Sequence, residues 1–149
     1  MVDIIYKNRR INRRFIILVI AVVIFILLLA RCAAARVDAL PRAETAADII
    51  SFLGAFGWQV QAEPVSHKSV QIPARFNDVY ERYNALQKQQ GFDLSRYRAD
   101  IVDSYSFRVL NHPVSADVFA NVLVFRGRII GGDICSYAID GFMTGFDGF

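Results

Sequence analysis

Cysteine, histidine and aspartate are the side chains here with chemistry to offer, and they allow one nucleophilic arrangement. Cys135 could act as a nucleophile if His67 or His112 took its proton and Asp133 or Asp140 oriented the imidazole. The plainer alternative is a small apolar residue in a sheet core. Alternation favours the plainer one, placing Ile129, Gly131, Asp133 and Cys135 on one face and Ile130, Gly132 and Ile134 on the other. No helix start or adjacent cation marks this thiol as reactive. Beyond Cys32 it is the only cysteine, so residues 37–149 hold no internal disulfide, and pairing of Cys32 with Cys135 stays open. His67 and His112 lack partners at i+3 or i+4, so no zinc site is expected. Asp140 and Asp147 lack the alternating oxygens of a calcium loop. Gly131-Gly132 has neither phosphate-loop spacing nor a following helix. It suits a bulge, or the close approach of another backbone or a ligand. No catalytic, cofactor-binding or metal-ligating residue is assigned.

The aromatic residues carry more. Phe142, Phe146 and Phe149 stand in a glycine-rich tail that cannot bury them all locally. Together with Trp58, Tyr80, Tyr83 and Tyr97, some could line a groove for a partner, or they could complete a small core. The candidate partner-binding residues are Trp58, Tyr97, Gly131, Gly132, Phe142 and Phe146. The run Arg96-Tyr97-Arg98 could stack on a ligand or lie in a solvated loop. Asn84, Gln87 and Asp93 cluster at a helix end, where capping accounts for them.

These residues need elements to position them. Thr45 can cap a helix from Ala46, with Ile49, Ile50, Phe52, Leu53 and Phe56 as its stripe and Gly57 as its stop. Trp58–Ala62 alternates as a strand stopped by Pro64, and His67–Ile72 reads as its hairpin partner. A second helix is predicted over Asn77–Gln90, with Val79, Tyr80, Tyr83 and Leu86 inward and Gly91 as its stop. Phe92–Arg98 reads as a loop with one short turn. Three strands follow, Ile101–Leu110, Ser115–Phe125 and Arg128–Tyr137, the last two joined by a tight turn at Arg126-Gly127-Arg128. The fold class is α+β: two helices covering one face of an antiparallel sheet of about five strands.

Charge and hydropathy divide the chain. Residues 1–36 carry seven Lys/Arg (Lys7, Arg9, Arg10, Arg13, Arg14, Arg31, Arg36) against Asp3, whereas residues 37–149 carry ten Lys/Arg and thirteen Asp/Glu. The second part is acidic, so nucleic-acid binding is not expected. Phe15–Ala30 is wholly apolar, and extension through Arg31 to Ala35 reaches a membrane-spanning length if Arg31 snorkels. The expected plan is a basic cytoplasmic tail (1–14), a transmembrane helix (15–35), a tether (36–44) and a domain outside the membrane (45–149). The competing reading is a cleaved signal peptide with Ala33-Ala34-Ala35 at the cleavage site.

The string Phe56-Gly57-Trp58-Gln59-Val60 resembles a bacterial domain of unknown function, number 4830. The likeness continues through Ile72-Pro73, Phe76, Tyr80, Tyr83–Leu94, Ile129–Ile134 and Asp140–Met143. It implies a small membrane-anchored protein of Firmicutes type, with no activity attached. The functional expectation is a single-pass membrane protein whose outer domain binds an envelope protein, peptide or wall component, without cofactor or metal. The alternatives are an extracytoplasmic enzyme built on Cys135 and a structural envelope protein.

Overall fold

The structure, a computed structural model, describes residues 13–38, 40–113 and 117–148, and the side chains of all these except 13–15 and 29–38. Two units emerge, Met1–Ala39 and Leu40–Phe149. The first contains helix α1 (Arg13–Asp38). Its apolar side chains from Ile16 to Leu28 are exposed all round. The described apolar stretch spans about 20 Å at 1.5 Å per residue. Among the described residues, no helix is long and apolar enough to cross a membrane, in contrast to the span expected over 15–35.

In the second unit the elements run α2 (Ala46–Ala55), β1 (Ser66–Gln71), α3 (Asp78–Gln89), a 3-10 turn (Leu94–Tyr97), β2 (Ile101–Arg108), β3 (Val118–Phe125), β4 (Arg128–Ser136) and β5 (Met143–Thr144). The class is α+β, as expected. Both helix starts are fixed by side chains. Thr45 Oγ1 accepts from the Asp48 amide while the Asp48 carboxylate accepts from the Thr45 amide, a reciprocal capping box. Asn77 Oδ1 accepts from the Tyr80 amide at 2.9 Å.

The sheet is an antiparallel meander, β1-β2-β3-β4-β5. Its five strands are not the five expected. Trp58–Ala62 makes only one bridge, Val60 to Val109, and β1 pairs with β2 rather than with that segment. The two expected hairpin arms are one interrupted edge instead. The amides of Gln61 and Val65 donate to the carbonyls of Arg108 and Ser106 on the same neighbour. Pro64, with no amide hydrogen, sits in the bend between them. The fifth strand is the short β5, in the tail where no periodicity signalled one. Of the expected strand 115–125, residues 115 and 116 lie outside the described set.

The helices also depart from expectation, packing on opposite faces. On one face, Ile49 and Leu53 of α2 join Phe107, Val118, Ala120, Val122, Ile134 and Phe146. On the other, Tyr80 and Tyr83 of α3 join Val102, Leu123, Ile130, Leu94 and Ile72. Strand β3 is apolar at nearly every position because one face is fully covered and the other partly so. Arg126 and Gly127 both take positive φ in the β3–β4 turn, the backbone a two-residue hairpin requires. A register shift then sets in between Leu123 and Val124. It places Ile129 in the α2-side core and Ile130 in the α3-side core, the reverse of plain alternation. Residues 40–43, expected within a tether, dock on this hairpin: Ala43 N–H donates to Gly127 O, and Ile129 N–H to Pro41 O.

Candidate ligand-binding cleft

The α3 side of the sheet is only partly covered. Helix α3 and the 3-10 turn lie over Val102, Leu123 and Ile130, and beyond Tyr83 the sheet face opens into a cleft of about 330 Å³. Its floor follows from register. Ser106 pairs with Asn121 and Asn121 with Asp133, so one polar side chain from each of β2, β3 and β4 points the same way. Ser66 and Lys68 extend the floor onto β1, and Phe119 and Tyr137 close the far side.

Asp133 is the centre of this floor, only 3% exposed. Tyr83 donates its phenolic hydrogen to Asp133 Oδ2 at 2.8 Å, and Asn121 Nδ2 donates to Oδ1 at 2.9 Å. The Asn121 amide also lies 3.2 Å from Cys135 Sγ, and Tyr137 donates to Asn121 Oδ1 at 3.4 Å. Burial raises the Asp133 carboxyl above the ordinary carboxylate range, and the bonds from Asn121 and Tyr83 partly offset that. Burial and then the Asp133 charge push Cys135 up to about 11. The same two influences hold the Tyr83 phenol well above its usual value.

Cys135 is therefore a buried, free thiol beside a carboxylate, a setting that suppresses the thiolate. Its expected bases are elsewhere. His67 lies on the opposite sheet face, stacked on Tyr105 at 4.2 Å with Nε2 3.3 Å from Asp103 Oδ1. His112 stacks between Trp58 and Phe142 in the α2-side cluster. Asp133 does adjoin Cys135, whereas Asp140 is exposed in a turn. Among the described residues, no group of three or more His, Cys, Asp or Glu could hold a metal ion.

Of the six candidate partner residues, Trp58, Phe142 and Phe146 meet in the α2-side cluster and Gly132 abuts the Phe146 ring, whereas Tyr97 packs in the α3-side cluster. Phe146 is buried in the α2-side core, edge-on to Phe52, and its carbonyl accepts from Trp58 Nε1 at 2.6 Å. Tyr97 packs edge-on to Phe125. Gly131 and Gly132 are buried for internal reasons. A Cβ on Gly131 would stand 2.7 Å from Gln87 Oε1, and one on Gly132 would collide with the Asn121 carbonyl and the Phe146 ring. Gln87 is no helix cap: it reaches across to accept from the Gly132 amide at 2.8 Å. Asn84 and Asp93 do work locally, Asn84 Nδ2 donating to Asp93 Oδ1 and Asn84 Oδ1 accepting from Leu94 N–H. Phe149 and the side chain of Cys32 lie outside the described residues. The residue missed by the sequence reading is Asn121. Its signal was there: one amide inside the apolar run Val118–Phe125 needs a buried polar partner.

The fold and cleft define a class: a small α+β domain with one helix on each face of a meander and a polar floor left open. The model of a domain of unknown function, DUF4830, matches residues 52–134, more than half of the chain, and the chain belongs to that family. Comparison with curated proteins and with solved structures finds no match.

Proposed function

We propose that this protein is a binding module held at a membrane by α1, with residues 40–149 outside the membrane recognising an envelope protein, peptide or wall component. The observation that carries the tether is α1 itself. Its side chains from Ile16 to Leu28 are apolar and exposed on every side, a surface that needs an apolar environment. The sequence continues that run to Ala30, with Arg13 and Arg14 before it and Arg31 after it. The greater basic density at the N-terminal end favours a cytoplasmic N-terminus. Support for binding rather than catalysis comes from the cleft, whose lining offers hydrogen-bonding groups and no imidazole, while the neighbouring Cys135 thiol is buried and pushed up to about 11.

The test is labelling in intact cells with a membrane-impermeant maleimide, using exposed Glu63→Cys in a Cys32→Ser background. Labelling without lysis, with the protein retained in carbonate-washed membranes, is the expected result. Labelling only after lysis would sink the outward orientation. Release of a shortened chain into the medium would replace the anchor with a cleaved leader.

A further inference from the structure

We propose that the cleft beside α3 binds an organic ammonium group, with Asp133 as its counter-ion and the rings of Tyr83, Phe119 and Tyr137 as its aromatic wall. This deepens the binding-module reading and rests on it for biological setting, though not for the chemistry. The argument starts at Asp133. A buried carboxylate is costly unless a cation or several donors compensate it. Asp133 accepts from Tyr83 on one oxygen and from Asn121 on the other, with the Cys135 thiol as a further, weak donor, and among the described residues it has no cationic partner within salt-bridge distance. A carboxylate accepts about four hydrogen bonds, so some of its capacity is left on a group that lines an open cleft.

The walls suit the same ligand. Phe119 and Tyr137 stand 5.1 Å apart, and the Tyr83 ring closes the helix side. Aromatic faces attract ammonium through their quadrupoles. Phe119 already holds a cation, the Arg108 guanidinium 5.0 Å from its centroid, and that group is bound at 2.8 Å to Asp117. Lys68, the cleft's own ammonium, is misplaced to serve Asp133. It pairs with Ser104, Ser104 with Leu123 and Leu123 with Gly131, three strand spacings away, or about 14 Å. There it suits an anionic end of the same ligand. A lysine side chain, a peptide amino terminus and an amino sugar share the ammonium chemistry, and the volume admits any of them singly.

The experiment uses the purified full chain in detergent micelles, read by NMR at the amides of Asn121 and Asp133. Two probe pairs differ only in their amine: N-acetyl-Ala-Lys-Ala against its Nε-acetyl form, and glucosamine against N-acetylglucosamine. The expected result is that at least one free amine binds, with its acetylated partner weaker by about tenfold or more. Whichever pair binds identifies the source. Asp133→Asn should weaken the free amine by a similar factor. Tyr137→Ala, at an exposed rim position outside the core, should weaken it severalfold and covers the case of a misfolded Asp133 variant. Binding should fade as pH drops through the raised Asp133 pKa, because the carboxylate must be ionised. The other groups facing it do not titrate in that range: Tyr83, Tyr137 and Cys135 are all pushed upward, and Lys68 lies at the far end. Equal affinity for acetylated and free probes, undiminished binding by Asp133→Asn, or no binding by either pair would overturn the proposal. Cytoplasmic labelling in the previous experiment would leave it standing, so the two failures are distinct.

Discussion

Asp133 sits where function and stability pull in opposite directions. Its folded pKa lies above the ordinary value of 3.8 because burial penalises the charge. Protonated, it contributes stability in full below the unfolded pKa, and that contribution is lost as pH rises through the folded one. An amide at this position carries no such charge. Asp133→Asn should therefore match or exceed the wild-type melting temperature at pH 7 and lose its advantage near pH 3, where both are neutral. Thermal unfolding of the two proteins at those pH values checks it, and a large loss at pH 7 would show that the ionised form is structurally required. Cys135 gives an independent reading of the same floor. A shift from 9.0 to about 11 leaves about a hundredfold less thiolate than an ordinary cysteine, before access is considered. With Cys32→Ser as background, alkylation of the native chain at pH 8 should run at least ~100-fold slower than in urea. Rapid native alkylation would revive the nucleophile.

At the scale of elements, the contact of α3 with β4 rests on the Tyr83–Asp133 bond and on two glycines that admit one amide. Gly131 leaves room for Gln87, whose Oε1 accepts the Gly132 amide hydrogen, and Gly132 takes φ +156° against the Asn121 carbonyl. Gly131→Ala should cost about 1–3 kcal/mol, since Gln87 and Leu94 must both give way. Gly132→Ala should cost more, because the colliding atom is backbone. Denaturant midpoints at constant slope measure both, and a neutral Gly132→Ala would contradict the packing described. Much of this level was legible in sequence: Thr45, Asn77, Gly57, Gly91 and the Arg126-Gly127 turn mark boundaries that the elements keep within a residue or two. What escaped were choices made by distant parts of the chain. Pro64 reads equally as a turn or as a kink in one edge, and only pairing with β2 decides. The face on which α3 lands is set by Tyr83 reaching Asp133 and Gln87 reaching Gly132, separations of 50 and 45 residues. Local periodicity has no access to either. The cleft was half legible: Asp133 and Cys135 stood out by type, whereas Asn121 was hidden inside an apolar run.

For the whole molecule, the two units make different demands on their surroundings. Every described core residue of the second unit falls between Leu40 and Phe146, so its core is made within that unit. The boundary matters to the residue, however. Arg128 Nη1 donates to the Leu40 carbonyl, Ile129 N–H to the Pro41 carbonyl and Ala43 N–H to the Gly127 carbonyl, while Ala43 is buried. A chain beginning at Leu40 keeps all three bonds, and one beginning at Thr45 loses all three. The first should unfold at the same denaturant midpoint as the full chain in micelles and stay monodisperse without detergent. The second should be less stable by about 1–3 kcal/mol, because hydrogen-bonding groups beside the β3–β4 turn lose partners and the Ala43 site is opened. Equal stability of the two truncated chains would make residues 40–44 a tether after all. A marked loss in the Leu40 chain would mean that α1 contributes to the fold, and its exposed apolar surface would then need another explanation than a membrane.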